Sequence, residues 1–421
     1  MDMVLVAVVG VVLLALLFDF TNGFHDAANS TSTVVATRAM KPRHAVYMAA
    51  FFNFAALFVV GTAVANTVAK TVQVEELGYQ SGGVPVGLGV AFGALLGAIF
   101  WNYFTWSIGM PSSSSHALIG GLIGAGLSAG GADVVKWSSV TKTAIAIAVS
   151  PLVAFTVAFV AMFLVGLLQR VTHWTDDARP FKWLQIVSSA AVSFGHGAND
   201  AQKTMGVIAF ALVAGGYVNA DAGIPLWVEL SAYSMIALGT MWGGWKIIET
   251  MGLRITKLNA NSGVAANIGA VSSIFGATEL GIPISTTQAA ASSVMGAGAA
   301  AGTGLNGRKI GEMVIAWIFT LPAAGVVGFV AFKLTTFADP WGWVASISAI
   351  AVLLTWAGRL MMHAENADDI EEMLPSEAEL HQYHTVPHPD LHPYEGPQHV
   401  NHHDLEEQGH AQAPEKERPL P

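Results

Sequence analysis

Two acidic motifs recur along the chain and contain the residue types best suited to chemistry. The first is Phe20–Asn29 (FTNGFHDAAN), and the second is Phe194–Lys203 (FGHGANDAQK), which lies 174 residues later. Asp26 and Asp200 occupy the same place in the two copies, and both stand in apolar surroundings. A carboxylate in such surroundings is costly unless it is paired or binds a ligand, so both are candidates for function. The alternative for either aspartate alone is a local helix cap.

The neighbours of the two aspartates suit cation and proton chemistry. Oxygen and amide side chains suit hard cations such as Na⁺ or Mg²⁺, and histidine exchanges protons near neutral pH. We expect Asp26 and Asp200 to hold a coupling ion, and to be the ligands of any metal ion. The other candidates for this site are Asn22, His25, Asn29, His196, Asn199 and Gln202. Lys203 either neutralises Asp200 or helps to hold an anion.

Two hydroxyl-rich blocks follow prolines and are also repeated. They are Gly109–Ala117 (GMPSSSSHA) and Gly281–Ala289 (GIPISTTQA), at an offset of 172 residues. Free N–H groups at a helix start attract anions, so two such ends could enclose a tetrahedral oxyanion. The candidate ligands are Ser113, Ser114, Ser115, His116, Ser285, Thr286, Thr287 and Gln288, with Lys203. Ordinary N-capping explains one hydroxyl per helix but not three or four in a row, while packing remains an alternative for His116 and Gln288.

Composition excludes most other classes of function. Of the 421 residues, 53% are hydrophobic and only 11% are charged, with a mean hydropathy of +0.52. Such a chain cannot cover a water-facing surface, which argues against a soluble enzyme. The absence of cysteine removes thiolate chemistry, and no Walker A, GxSxG or HExxH motif is present. We therefore expect no enzyme, no resident cofactor and no nucleic-acid partner. The expected partners are an oxyanion, a coupling cation (H⁺ or Na⁺) and the lipid bilayer.

Apolar stretches long enough to span a bilayer recur through the body of the chain. They lie near 3–20, 44–66, 84–107, 140–168, 183–216, 225–250, 261–280, 310–337 and 341–362. Two further stretches, 109–130 and 283–303, are either spans or re-entrant hairpins. The sequence thus predicts an all-α integral membrane protein with about 10–12 transmembrane segments. The Lys and Arg bias of the short loops favours an outside N-terminus and a cytoplasmic C-terminal tail.

The loop charges predict that the repeat is inverted. In the first copy, the loop after the acidic motif is basic, with Arg38, Lys41 and Arg43. In the second copy, the corresponding stretch 217–224 has no basic residue, while 246–257 has three. Inverted repeats with interrupted helices are typical of secondary transporters, whose site lies near the membrane midplane. The alternative is an old duplication that was kept only for packing.

These patterns divide the chain into five parts. The boundaries are 1–168 for the first inverted repeat, 169–182 for a cytoplasmic linker, 183–337 for the second repeat, 338–362 for an additional transmembrane helix, and 363–421 for a tail. The tail contains 14 acidic and two basic residues, with nine of the 14 histidines. Its low hydrophobicity and high charge predict a disordered, solvated cytoplasmic segment. Weak metal binding by the histidines is the alternative.

At the four motifs the chain resembles the PiT family of inorganic phosphate transporters, and it is most similar to the bacterial low-affinity Pit type. The segments that carry the resemblance, within residues 1–337, are NGFHDAAN, HGANDAQK, GMPSSSSH and GIPISTTQ. The resemblance implies symport of phosphate, as a metal–phosphate complex with protons, by a homodimer. It places Asp26, Asn29 and Asp200 with the coupling cations, and Ser113–Ser115 with Ser285–Thr287 around phosphate. The chain departs from the family pattern at Gln288, usually His, and at Gln202-Lys203, usually Ala-Asn.

We therefore predict a symporter in the cell membrane that imports inorganic phosphate by alternating access. The alternatives are sodium-coupled phosphate symport, transport of another oxyanion such as sulfate, and a cation channel lined by the two acidic motifs. A channel does not need paired anion-binding helix starts, so the hydroxyl blocks argue against it.

Overall fold

The computed structural model describes residues 2–71, 78–80, 83–219, 221–362 and 364–376. Within these ranges the chain forms fifteen α-helices and no β-strand, which confirms the predicted all-α class. In chain order the helices are α1 (Met3–Asp26), α2 (Ala28–Ala36), α3 (Pro42–Ala55), α4 (Ala63–Ala69), α5 (Val86–Ser107), α6 (Ser114–Gly130), α7 (Trp137–Thr172), α8 (Arg179–Ala214), α9 (Leu226–Trp242), α10 (Trp245–Leu253), α11 (Ala260–Glu279), α12 (Thr286–Ala301), α13 (Gly307–Thr335), α14 (Trp341–Met362) and α15 (Ala367–Met373).

The helices identify a membrane protein. Five helical segments among the described residues are long and apolar enough to cross a bilayer: α1 with α2, then α5, α7, α13 and α14. A sixth is obtained if Pro42–Phe58 and Ala63–Ala69, which are bent by 86°, count as one broken span. Large apolar side chains point outward from α7, α13 and α14, where Leu152, Ile318 and Val352 are about 70% exposed (68%, 67% and 70%). Such faces suit contact with lipid. The total number of crossings stays a prediction.

Two predicted spans are broken near their middle. The stretch 44–66 is divided between α3 and α4, and the stretch 225–250 is divided between α9 and α10. The second break falls at Gly243, whose φ is 78°, and at Gly244, where an added Cβ would collide with the carbonyl oxygen of Phe24. Only glycine tolerates both requirements. The break therefore lets this part of the chain pass directly against the end of α1.

The two halves of the chain pack on each other reciprocally. Helix α1 packs on α9, and its counterpart α8 packs on α3; likewise α2 packs on α10, and α8 on α4. Helices α5 and α6 pack on α13, while α11 and α12 pack on α7. Close approach is needed in both places, because a Cβ on Gly124 would collide with Gly325 and one on Gly296 with Phe155. The sites where the repeated motifs lie are therefore enclosed by helices of both halves.

The starts of α6 and α12 are built alike by the hydroxyl blocks. Ser113 and Ser285 have extended backbone and cap the two helices, accepting hydrogen bonds from the backbone N–H of His116 (3.2 Å) and Gln288 (3.1 Å). Both helices thus begin just after a proline-containing extended segment. Helix α1 ends at Asp26 and α2 begins at Ala28, whereas α8 continues through the second acidic motif without a break. Ala27 between α1 and α2 keeps right-handed helical dihedrals (φ −50°, ψ −33°), so the two helices together form one span and both acidic motifs lie in nearly continuous helix.

The peripheral segments differ in detail from the predicted boundaries. The connection expected at 169–182 is shorter, since α7 ends at Thr172 and α8 begins at Arg179, and the expected extra helix corresponds to α14. The tail was expected to be disordered from residue 363, but 364–376 contain α15, which packs on α3. Composition misses this helix because it depends on only a few contacts. They include the burial of Ile370 and Leu374, the Arg43–Asp368 ion pair at 2.7 Å, and hydrogen bonds from Arg38 to the carbonyls of Leu374 (3.0 Å) and Pro375 (2.7 Å). Residues 377–421, with eight of the tail histidines, lie outside the described residues.

Candidate functional site

The two repeated aspartates meet in one buried cluster. Asp26 comes from the end of α1 and Asp200 from the middle of α8, together with His196 one turn earlier on α8. Their side chains are 1%, 0% and 1% exposed, and each offers a ligand atom within 4.8 Å of the other two. We call these three residues the carboxylate cluster. They are a donor set that a cation or a proton can share.

The hydroxyl blocks provide the hydrogen bonds of Asp26. Ser114 at the start of α6 donates to Oδ2 at 3.2 Å, and Thr287 at the start of α12 donates to Oδ1 at 3.1 Å. Thr286 lies 3.4 Å from Oδ2. His25 adds a contact of 2.6 Å between its Nδ1 and Oδ1. The starts of both helices therefore point hydroxyl groups at the carboxylate that ends α1.

Asp200 is held by a cation, an amide and a shared hydroxyl. Lys203, itself 1% exposed, forms an ion pair with Oδ1. Asn22 donates from Nδ2 to Oδ2 at 3.2 Å, and Thr286 lies 3.3 Å from the same oxygen. The Thr286 hydroxyl has one proton and so can donate to only one of the two carboxylates at a time. Thr286 is therefore the link between Asp26 and Asp200.

The orientation of His196 follows from its neighbours. Asn53 donates from Nδ2 to Thr240 at 2.8 Å, which turns its carbonyl oxygen toward His196 Nδ1 at 3.1 Å. Nδ1 must then carry the proton, as is common for a metal-binding imidazole oriented by a second group. Nε2 points at Asp200 Oδ2 (3.6 Å) and Asp26 Oδ2 (3.9 Å). A lone pair facing two carboxylate oxygens is unfavourable, so this position favours a proton or a cation.

His25 begins a second line of hydrogen bonds that leads away from Asp26. Its Nε2 lies 3.2 Å from the Thr105 hydroxyl and 3.4 Å from that of Ser112, and the two hydroxyls are 2.7 Å apart. Asn199, which matches His25 in the repeat, donates to Thr278 at 2.9 Å, and Thr278 precedes the second hydroxyl block much as Thr105 precedes the first. The structure therefore brings His25 to the carboxylate cluster but places Asn199 outside it.

Gln202 also lies apart from the carboxylate cluster. Its Oε1 accepts the backbone N–H of Val64 at 2.8 Å and that of Ala65 at 3.3 Å, at the start of α4. Helix α4 has no side-chain cap of its own. The side chain thus satisfies two N–H groups that would otherwise lack an acceptor.

The remaining predicted anion ligands have mixed surroundings. The Ser113 and Ser285 hydroxyls are used as helix caps, and Ser115 donates to the Ile284 carbonyl at 2.6 Å. Asn29 donates to the hydroxyls of Thr286 and Thr287, each at 3.2 Å, and so orients them. His116 and Gln288 are buried, and within the described structure His116 Nε2 and Gln288 Oε1 have no hydrogen-bond partner. Ser114, Thr286 and Thr287 are therefore the hydroxyls that face the carboxylates.

Sequence reasoning missed three residues near the site. Asn53 and Thr105 lie within predicted spans, and each is fully or almost fully buried (0% and 1%) while contacting a histidine of the site. Asp19, on α1, is a third buried carboxylate beside Asp26 and Asp200. The signal for all three was a polar residue within an apolar stretch.

The formal charge of the site decides what it can bind. Asp26 and Asp200 carry two negative charges and Lys203 carries one positive charge, which leaves one negative charge when both histidines are neutral. The starts of α6 and α12 add partial positive charge from their free N–H groups. An anion would enter this place only together with protons or cations, because like charges in a buried site repel strongly.

Charged residues enclosed between the helices of a membrane protein, next to two helix starts, are typical of membrane transporters. The comparisons with known proteins agree with this class. The model of the phosphate transporter family matches residues 22–328. A probable low-affinity inorganic phosphate transporter of Rhizobium meliloti (strain 1021) is 46% identical over 321 residues, which are 76% of this chain and 93% of the relative. One of the same description from Bacillus subtilis (strain 168) is 40% identical over 333 residues, or 79% and 98%.

A solved structure is similar as well. It is described as the sodium-dependent phosphate transporter, with a TM-score of 0.69 and 25% sequence identity over 78% of this chain and 98% of that one. The chain therefore belongs to the phosphate transporter family. The family and these relatives are transporters, which confirms the expectation of a transporter rather than an enzyme.

Proposed function

We propose that this protein imports inorganic phosphate by symport, carrying it as a metal–phosphate complex with protons. The observation that carries the proposal is that Ser114, Thr286 and Thr287 donate their hydroxyl hydrogens to Asp26 and Asp200. The same hydroxyls, at the starts of two helices, are those that suit a tetrahedral oxyanion. The hydroxyls that could bind the anion are thus the same groups that hydrogen-bond to the carboxylates of the cation site. The names of the relatives make phosphate the leading oxyanion.

This sharing provides a physical basis for coupling. While the carboxylates are without a proton or cation, they hold the hydroxyls by charge-assisted hydrogen bonds. A proton or cation bound between Asp26, Asp200 and His196 takes over this role and frees the hydroxyls to donate to phosphate. Phosphate without such a cation meets a site that already has a net negative charge. The substrate and its cation therefore bind together or not at all.

A divalent metal fits the same arrangement. Two carboxylate oxygens and the Nε2 of a neutral His196 are suitable ligands, with Asn53 holding the ring in the required tautomer. In the proposed cycle the metal is cargo, and its remaining ligands are oxygens of phosphate. The complex has little net charge, which lowers the cost of moving it through a membrane.

Alternating access would follow from the reciprocal packing of the two halves. We infer that they are inverted repeats, with 1–168 and 183–337 rocking about the buried site. The protein would lie in the cell membrane with its N-terminus outside and α15 in the cytoplasm, where Arg43 pairs with Asp368. A homodimer is part of this proposal and is suggested by the family resemblance.

The function is tested with the purified protein in proteoliposomes and labelled phosphate. We expect uptake to rise above equilibration when a cation gradient is imposed, and unlabelled sulfate to compete poorly. Uptake that never exceeds equilibration under any gradient would exclude a symporter. Preference for sulfate over phosphate would assign the same scaffold to another oxyanion.

We further expect a proton gradient to drive uptake. His25 contacts Asp26 at 2.6 Å and continues through hydroxyls to Ser112, which provides a path for a proton. The measurement compares a pH gradient without Na⁺, with Mg²⁺ present, against a Na⁺ gradient at symmetric pH. Accumulation with only the Na⁺ gradient would favour the sodium-coupled alternative, which the solved relative suggests, and would leave His25 as a structural partner of Asp26.

Removing the hydroxyl that links the carboxylates should weaken phosphate binding. Thr286→Val keeps the shape of the side chain but loses a hydrogen bond to a charged group, so we expect the KM for phosphate to rise about tenfold. Ser128→Ala removes a buried hydroxyl near the other end of α6 and serves as the matched control. An unchanged KM in Thr286→Val would show that this hydroxyl serves only the two aspartates.

A further inference from the structure

A third carboxylate is buried on the same helix face as Asp26 but apart from the carboxylate cluster. Asp19 is 0% exposed and lies two helical turns before Asp26, or about 10 Å along the axis of α1. Among the described residues, neither of its carboxylate oxygens has a hydrogen-bond partner, and no ion pair includes it. A lone buried carboxylate is costly in such surroundings, so it holds a proton or a bound cation.

The groups around Asp19 come from two neighbouring helices. Helix α8 faces it with the hydroxyl of Thr204, whose Oγ1 is also buried and without a hydrogen-bond partner in the described structure. Asp200 and Lys203 on the same helix act on Asp19 through space with opposite signs. Helix α9 contributes the buried hydroxyl of Tyr233, which interacts electrostatically with both Asp19 and Glu229.

The other helices packed against α1 add no charge. Neither α5 (Val86–Ser107) nor α2 (Ala28–Ala36) contains Asp, Glu, Lys, Arg or His, and the titratable group of α5 is the phenol of Tyr103. The ligands that these helices offer to Asp19 are thus oxygens, and the charges of Asp200 and Lys203 on α8 oppose each other. A site of this kind suits one monovalent hard cation rather than a divalent metal.

We propose that Asp19, with the Thr204 hydroxyl, binds one monovalent cation, a proton or Na⁺, during transport. This second coupling site rests on the proposed symport and adds to it a cation that never contacts phosphate. If the cation is a proton, the O–H bond forms on Asp19 from one side of the membrane and breaks toward the other. Because Asp19 lies between the Met3 end of α1 and the carboxylate cluster, a cation that enters from that end reaches Asp19 first.

Lys203 links the two sites. A cation on Asp19 neutralises its charge, so the ammonium group of Lys203 is not attracted to it and stays on Asp200, with which it forms an ion pair in the structure. When Asp19 is ionised and free of a cation, the ammonium group is drawn toward it, and Asp200 becomes available. Occupation of Asp19 and release of Asp200 are thus coupled in opposite senses, and such coupling is reciprocal.

The test measures the number of cations transported with each phosphate. In proteoliposomes, the logarithm of the steady-state phosphate accumulation ratio is plotted against the logarithm of an imposed gradient of H⁺ or of Na⁺. Asp19→Asn should lower the slope by about one for the cation that the site binds, which is about tenfold less accumulation for a tenfold gradient. Phosphate exchange at equilibrium should be retained. The gradient whose slope changes identifies the cation.

Two further variants make the result specific. Asp19→Glu should keep the slope of the unaltered protein, and Asp133→Asn removes an exposed carboxylate as the matched control. Equal, non-zero slopes for Asp19→Asn and the unaltered protein would overturn the assignment of Asp19 and leave the proposed function intact. Loss of phosphate exchange in both Asp19→Asn and Asp19→Glu would also overturn the assignment, because the position would then require the size of aspartate rather than its charge. A zero slope for the unaltered protein would overturn the proposed function itself.

Discussion

Asp26→Asn should remove the accumulation of phosphate that is driven through the carboxylate cluster, while leaving the protein folded in the membrane. The substitution keeps the size of the side chain. Of the hydroxyls of Ser114 and Thr287, which contact different oxygens of Asp26, one can still donate to the amide oxygen and the other can turn to accept from the NH2. The substitution removes the charge that binds a proton or cation between the two halves. For each tenfold gradient imposed, the loss should be about tenfold or more.

The same change should leave downhill movement of phosphate. The formal charge of the site rises from one negative to zero, so the anion no longer needs that cation in order to enter. Steady-state uptake and downhill exchange are measured in proteoliposomes with equal protein content, with Asp133→Asn as the charge-matched control at an exposed position. Normal gradient-driven accumulation by Asp26→Asn would show that the carboxylate is structural.

Much of the site could be predicted because buried charge must find a partner. Asp26 and Asp200 stand in apolar stretches at matching positions. A common site was expected because it provides partners for both buried charges at once. The hydroxyl blocks were expected around an anion, and the structure places Ser114, Thr286 and Thr287 on those carboxylates. The sequence could not predict these contacts, because each joins residues that are more than eighty positions apart in the chain.

Helical periodicity indicates which residues share a helix face with each aspartate, and the motifs alone do not. On α8, His196 and Lys203 lie four residues before and three after Asp200, hence on its face, whereas Asn199 and Gln202 point elsewhere. On α1, the same spacing aligns Asp19 and Asn22 with Asp26. Treating each motif as one cluster therefore grouped Asn199 and Gln202 with a carboxylate cluster that they do not contact, and overlooked Asp19.

Other features lay beyond the sequence patterns. The break within the predicted span at 225–250 depends on how closely two backbones approach, as at Gly244 and Phe24. A glycine pair in an apolar stretch is equally compatible with a continuous helix in a membrane protein. Helix α15 could not be predicted from the acidic composition around it, because a few buried side chains and contacts from Arg38 and Arg43 hold so short an element.

Asp200→Asn should, in contrast to Asp26→Asn, lower the amount of folded protein. It leaves the ammonium group of Lys203 buried and without its partner, and breaking a buried ion pair in this way costs about 3–5 kcal/mol. Lys203→Met is the companion variant. Alone it leaves Asp200 with Asn22 and Thr286 as donors, so we expect a smaller loss.

The double variant Asp200→Asn with Lys203→Met separates folding from transport. Its two side chains are neutral, so the thermal stability of the detergent-purified protein should return to within about 1 kcal/mol of the original. The accumulation driven through the carboxylate cluster should nevertheless be absent, because its cation still lacks one of its two carboxylates. Full stability of Asp200→Asn alone would mean that Lys203 finds another anion, for which Asp19 is the nearby candidate. Normal accumulation by the double variant would show that Asp200 is not part of the coupling site and that its ion pair with Lys203 only stabilises the fold. A charge that takes part in each transport cycle cannot be replaced by an amide without a change in the number of cations carried.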